Sequence, residues 1–239
     1  MDSLLHGGNA METQPNQLHQ RENHGLLTTP EKRALIWMAK RMPKFVTSDH
    51  LTGIGLLGMA LAGLSYYAAR WERSALLFVA VALAINWFGD SLDGTLARVR
   101  NQQRPRYGYY TDHVLDILGV SFLLSGVALS GFMSPMIALG LMGVFLMVMA
   151  EVFLATHVRK VFRMSFLVFG PTELRIVLAI GTIFLLWKPH VRIAGSGPYL
   201  LFDVAGLVSI AGLAVAFLAS AFRTMRALYR EEPLPQQAG

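Results

Sequence analysis

From residue 51 onward the chain alternates long apolar runs with short polar, often basic, breaks. The runs cover about 51–69, 75–90, 112–132, 134–157, 171–187 and 199–222, and the fifth is the shortest. Each approaches the roughly 20 apolar residues needed to cross ~30 Å of hydrocarbon. The pattern therefore predicts an all-α integral membrane protein with six transmembrane helices. The second run continues in helical period as far as Arg98. Ahead of the first run, PEKRALIWMAKRM (Pro30 to Met42) mixes Leu35, Ile36, Trp37 and Met38 with Lys32, Arg33, Lys40 and Arg41. That segment is too short and too charged to span, so residues 30–44 are expected to form an amphipathic helix lying in the interface. Residues 1–29 are polar, without an apolar period or a signal-peptide core, and are expected to be a disordered tail. The membrane domain then occupies 45–230, with a short C-terminal tail at 231–239. In VTSDHLT, before the first span, Ser48 or Asp49 is placed to cap the helix.

Composition supports the membrane reading. The chain of 239 residues is 54% hydrophobic and 15% charged, whereas a soluble domain carries about 25% charged residues. The absence of cysteine excludes disulfides, thiolate metal sites and a thiol nucleophile. The net charge of +6 fits loops facing anionic lipid heads better than nucleic acid, because no long soluble basic surface exists. Of the 21 Lys and Arg residues, all but Arg70, Arg73, Lys188 and Arg192 fall on one side of the predicted spans. That asymmetry places both termini and the loop after the second span in the cytoplasm.

The unusual chemistry lies at that cytoplasmic loop. Asp90 and Asp93 close the second apolar run; Asp112 and Asp116 open the third. Spacings of three and four put each pair on one helix face. If the two helices are antiparallel, four carboxylates meet at one membrane surface. Close acids repel strongly unless cations hold them, and an all-oxygen ligand set selects hard ions such as Mg²⁺ or Mn²⁺. Single acids at helix ends often serve only as caps, but four such residues beside apolar sequence form a functional candidate.

The full pattern is Asp90-x-x-Asp93-Gly94-x-x-Ala97-Arg98, then Gly108-x-x-x-Asp112-x-x-x-Asp116. It resembles the signature of the CDP-alcohol phosphotransferase family, membrane enzymes that build phospholipid headgroups. Nine residues, Val99 to Tyr107, separate Arg98 from Gly108, one more than in the usual pattern. The resemblance implies transfer of a phosphatidyl or phospho-alcohol group from a CDP-linked donor to an alcohol acceptor, with loss of CMP. It implies two divalent metals on Asp90, Asp93 and Asp112, with Asp116 as general base and near enough to assist as a ligand. Gly94 and Ala97, both small, would let the nucleotide lie against the second helix, although close helix packing accounts for small residues equally well. Arg98 suits a phosphate or a snorkelling contact, and Gly108 a tight turn before the third helix. The resemblance also implies a homodimer.

Other residues carry alternatives. Asp49 is a cap or a weak substrate contact, Asn86 a buried amide or a partner of the acids, and Arg104 and Arg106 phosphate ligands or topology charges. Arg159, Lys160 and Arg163 present the same choice. Glu151 inside the fourth run would face a polar pocket or pair with a basic residue. GPTELR (Gly170 to Arg175) reads as a helix start, with substrate contact by Glu173 or Arg175 as the sharper option. CDP-diacylglycerol is the expected donor. Asp112-His113-x-x-Asp116 is also similar to enzymes using CDP-choline or CDP-ethanolamine with diacylglycerol. A rival class is an ion- or proton-coupled transporter, but transport acids sit mid-membrane and these sit at run ends.

Overall fold

A computed structural model describes residues 28–159, 171–193 and 195–232. The predicted tail before residue 28, Lys160, Arg163, Gly170 and the last seven residues lie outside them. The described residues form α1 (Thr28–Arg41), α2 (Ser48–Ala68), α3 (Ala75–Val99), α4 (Pro105–Ser130), α5 (Pro135–Arg159), α6 (Pro171–Leu185), β1 (His190–Ile193), β2 (Ser196–Leu200) and α7 (Leu201–Glu231). Five of these helices, α2, α3, α4, α5 and α7, are long and apolar enough to cross a membrane. Helix α6 has 15 residues, about 22 Å at 1.5 Å per residue, so its described length falls short of the hydrocarbon thickness.

Helix α3 is the central element. In its most apolar stretch 44% of residues are buried, against 11% in α5 and α7, so the acids at its C-terminal end stand on the most enclosed helix. Its neighbours approach very closely because glycines face each other. A Cβ placed on Gly58 would lie 2.5 Å from the Asn86 backbone nitrogen, and one on Gly89 would collide with Gly55 and Leu51 backbone. Gly126 of α4 meets Gly63 of α2 in the same way. Small residues at such crossings let dispersion contacts form along whole helices where the hydrophobic effect offers nothing. Gly89→Val is therefore expected to lower the thermal midpoint of the solubilised protein. Overpacking costs about 1–3 kcal/mol, and Gly53→Val, where a Cβ meets nothing within 4 Å, is the matched control for thermal unfolding.

One apolar cluster, including Tyr66, Leu76, Val79 and Leu185, fills the bundle away from the acids. There the buried Tyr66 hydroxyl pairs with Thr182 of α6. A second cluster of Leu35, Ala39, Leu51, Leu92 and Leu96 lies near the acids. It seats α1 on α3 by an i, i+4 pair while Lys32, Arg33 and Lys40 remain exposed. Glu31 joins three helices by accepting hydrogen bonds from Trp87 Nε1 and Thr172 Oγ1, each at 2.7 Å. At the far end α4 stops at Gly131 (φ 80°), in the left-handed region. Asp203 of α7 accepts from both the backbone N–H and the hydroxyl of Ser134. The antiparallel β1–β2 hairpin sits at this end too; the apolar pattern contains no signal for it.

Several local expectations change. Thr47, not Ser48 or Asp49, caps α2, in a reciprocal box with His50 at 3.3 Å each way. This leaves the Ser48 hydroxyl to donate to the Asp93 carbonyl at 2.8 Å. Gly108 makes no turn: α4 begins at Pro105, so Gly108 lies in its first turn, its N–H on the Arg104 carbonyl at 2.7 Å. Only 100–104 form the connection. Glu151 faces α7, accepting from Ser220 at 2.9 Å and Thr224 at 3.5 Å.

Candidate active site

The site forms between three helices. The C-terminal half of α3 supplies Asp90 and Asp93, the N-terminal half of α4 supplies Asp112 and Asp116, and the start of α6 supplies Arg175. One carboxylate oxygen from each of Asp90, Asp112 and Asp116 lies within 4.8 Å of the others. Opposite ligands of one Mg²⁺ are about 4.2 Å apart, from its ~2.1 Å bonds. The three oxygens thus fit a single hard cation after small closing moves, and the all-carboxylate donor set has the matching chemistry.

Asp93 stands slightly apart. Its Oδ2 accepts from Thr52 Oγ1 at 2.7 Å, and its other oxygen takes the Gly94 N–H. Thr52 was hidden in the sequence because it reads as an ordinary residue of the first span; its one signal is its place one helical turn after Ser48. Thr52 and Ser48 together tie α2 to the acidic end of α3.

Arg175 brings a positive charge to the site. It pairs with Asp90 and donates through Nε to Asn86 Oδ1 at 2.7 Å. Asn86 in turn donates to the Gly55 carbonyl at 2.9 Å. Asn86 is thus a buried amide with both ends hydrogen-bonded, linked to Asp90 through Arg175.

The remaining candidates separate. Asp90, Gly94 and Ala97 share one face of α3 by their i, i+4, i+7 spacing. A Cβ on Gly94 would meet nothing nearer than Arg98 Nη1 at 3.5 Å. Packing therefore does not demand glycine there, in contrast to Gly89. Arg98 is exposed, and its Nη2 donates to Thr95 at 3.0 Å. Asp49 is not among the clustered acids: it pairs at the surface with Arg104, whose guanidinium lies 4.2 Å from the Tyr107 ring centre. Arg106 is exposed. Arg100, read from sequence only as a topology charge, donates to the carbonyls of Met42, Pro43 and Val46 and fixes the α1–α2 link to the end of α3. His113 is buried between Tyr109 and Phe153, ring centres at 4.1 and 4.6 Å. That packing accounts for an aromatic ring at this position whatever the donor.

A model of the CDP-alcohol phosphatidyltransferase family matches residues 42–222. The chain belongs to that family. The match runs from the end of α1 into α7 and so contains every residue of the acidic cluster. One similar protein is an archaetidylinositol phosphate synthase of Pyrococcus horikoshii, 33% identical over 86 residues. That alignment spans 36% of this chain and 43% of the relative.

Proposed function

We propose that this family member transfers a phosphatidyl or phospho-alcohol group from a CDP-linked donor, CDP-diacylglycerol above all, to an alcohol and releases CMP. The observation that carries the reading is the convergence of Asp90, Asp112 and Asp116 within 4.8 Å on two different helices. Transport explains such a cluster less well, because Asp90 and Asp93 close one apolar run and Asp112 and Asp116 open the next, away from the mid-membrane. The relative's name includes an inositol phosphate, which favours a phosphorylated polyol as acceptor.

In this reading Asp90, Asp93, Asp112 and Asp116 hold two divalent ions, Mg²⁺ or Mn²⁺. When bound, the ions would neutralise the donor's diphosphate and the departing CMP. The chain's own residues do the rest. Gly94 and Ala97 leave a shallow strip of α3 on which the nucleotide rests. Arg98 offers its charge to a phosphate at the rim. Asp116 takes the acceptor hydroxyl's proton as that oxygen attacks phosphorus, since an alcohol is a poor nucleophile until deprotonated. Helix α6 acts as a sixth span, and α1 lies in the interface. The basic asymmetry sets the acids on the cytoplasmic face, where a water-soluble acceptor meets a lipid donor.

Purified protein should release CMP from one CDP donor and one alcohol in a panel, only with Mg²⁺ or Mn²⁺, and stop on chelation. CMP formation from CDP-choline with diacylglycerol instead would replace the donor assignment; none from any pair would remove the reading. Gly94→Val should raise KM for the CDP donor about tenfold or more, with an unchanged melting temperature, because it fills the strip without touching a neighbouring helix. Steady-state kinetics against donor concentration checks this.

A further inference from the structure

We infer that Arg175 is the resident countercation of Asp90 and that an incoming divalent ion must displace it, so that metal loading and guanidinium release are one coupled event. The inference rests on the metal-site reading above and adds a residue outside the acidic signature.

Three observations carry it. First, Arg175 contacts a carboxylate of the three-acid cluster through Nη2. A fixed positive charge touching a ligand opposes a doubly charged ion at the same ligand, and the effect is large where water is scarce. Second, the guanidinium is held by a separate anchor. Its Nε donates to Asn86 Oδ1 at 2.7 Å, and Asn86 is itself fixed to the Gly55 carbonyl at 2.9 Å. This anchor sits where α2 and α3 are in backbone contact at Gly55, Gly58 and Gly89, so it belongs to a closely packed crossing of the bundle. Third, the Arg175 and Asp90 side chains are only 18% and 25% exposed, so bulk water screens their interaction weakly.

The consequence is a two-position side chain. With the acids free of metal, Arg175 cancels part of their mutual repulsion and keeps the α3–α6 contact closed. With metal on Asp90, the Nη end is turned away while Nε stays on Asn86. The charge then remains at the site, beside any anionic group brought in with the substrates. Arg175 is thus a positioning residue acting through Asp90.

The test is Mn²⁺ binding to full-length protein in nanodiscs, without nucleotide, followed by electron paramagnetic resonance. Arg175→Gln should bind Mn²⁺ at least about tenfold more tightly than the unaltered protein, as expected for removal of a contacting like charge. Arg175→Lys, which keeps the charge, should stay within about threefold. A purely structural Arg175 would give the opposite sign, weaker binding in Arg175→Gln, and either that or an unchanged affinity overturns the inference.

A reciprocal measurement needs no variant. Saturating Mn²⁺ should accelerate phenylglyoxal modification of Arg175 at least about threefold relative to Arg73, read by peptide mass spectrometry. Protection or no change would also overturn it. If the unaltered protein binds no Mn²⁺, the metal-site reading falls and takes this inference with it. If it binds Mn²⁺ normally but Arg175→Gln binds no tighter, the inference alone falls.

Discussion

Asp116→Asn is expected to lower kcat for CMP release by about 10³-fold while leaving the protein folded and the donor KM within a few-fold. General base catalysis contributes typically ~10²–10⁴-fold, and a 10³-fold loss corresponds to about 4 kcal/mol of barrier. An amide has the shape of a carboxylate but cannot take up the hydroxyl proton. Its remaining carbonyl oxygen can still face a cation, so donor binding should suffer less than turnover. Asp116 stands one helical turn beyond Asp112, on the side of α4 that faces Asp90. Single-turnover CMP release across pH is the measurement. The deficit should shrink at alkaline pH, where hydroxide can take the proton instead. A variant within tenfold of the unaltered kcat would remove Asp116 from the base role and leave the family assignment untouched.

The acidic end was legible in the sequence because its signals are local. Asp90 and Asp93 are tied by a three-residue spacing, and Asp112 and Asp116 by a four-residue one. Helical geometry alone puts each pair on a face, and α3 and α4, both packed on α2, bring the two faces together. The spans themselves were legible for the same reason, as five of the apolar runs coincide with long helices to within a few residues at most ends. What escaped depends on contacts between segments distant in the chain. Thr52 and Ser48 reach Asp93 only because α2 and α3 cross at Gly55 and Gly89, and no spacing in the sequence encodes that crossing. Arg100 looks like one more loop charge until the α1–α2 link folds back over it. Gly108 suggested a turn because glycine permits one, but Pro105 starts the helix first and leaves Gly108 inside it. Arg175 was ambiguous because a basic residue near a helix start has a local explanation. Its partner Asp90 lies 85 residues away.

Removing one acid from the cluster should separate stability from function. Asp112→Asn is expected to cut kcat/KM by about 10³-fold or more and to weaken Mn²⁺ binding at least about tenfold. A hard ion loses an anionic ligand, and the substituted amide offers only a neutral oxygen in exchange. In a chelator, however, the same variant should unfold at a higher temperature than the unaltered protein, by about 2–4 °C for a chain of this size. The reason is electrostatic. Asp90, Asp112 and Asp116 hold oxygens within 4.8 Å of one another. Arg175 pairs with Asp90, but carboxylates this close to one another still repel. Relieving that repulsion stabilises the metal-free fold even as it destroys the metal site, the trade-off expected of groups kept for chemistry rather than packing. Adding Mn²⁺ should reverse the order, raising the melting temperature of the unaltered protein above that of the variant, because an ion that binds only the folded state stabilises it in proportion to its affinity. Thermal unfolding with and without Mn²⁺ reads both halves. A variant less stable than the unaltered protein in chelator would mean that Asp112 holds the helices together through its own contacts. The acidic cluster would then be part of the scaffold as much as of the site.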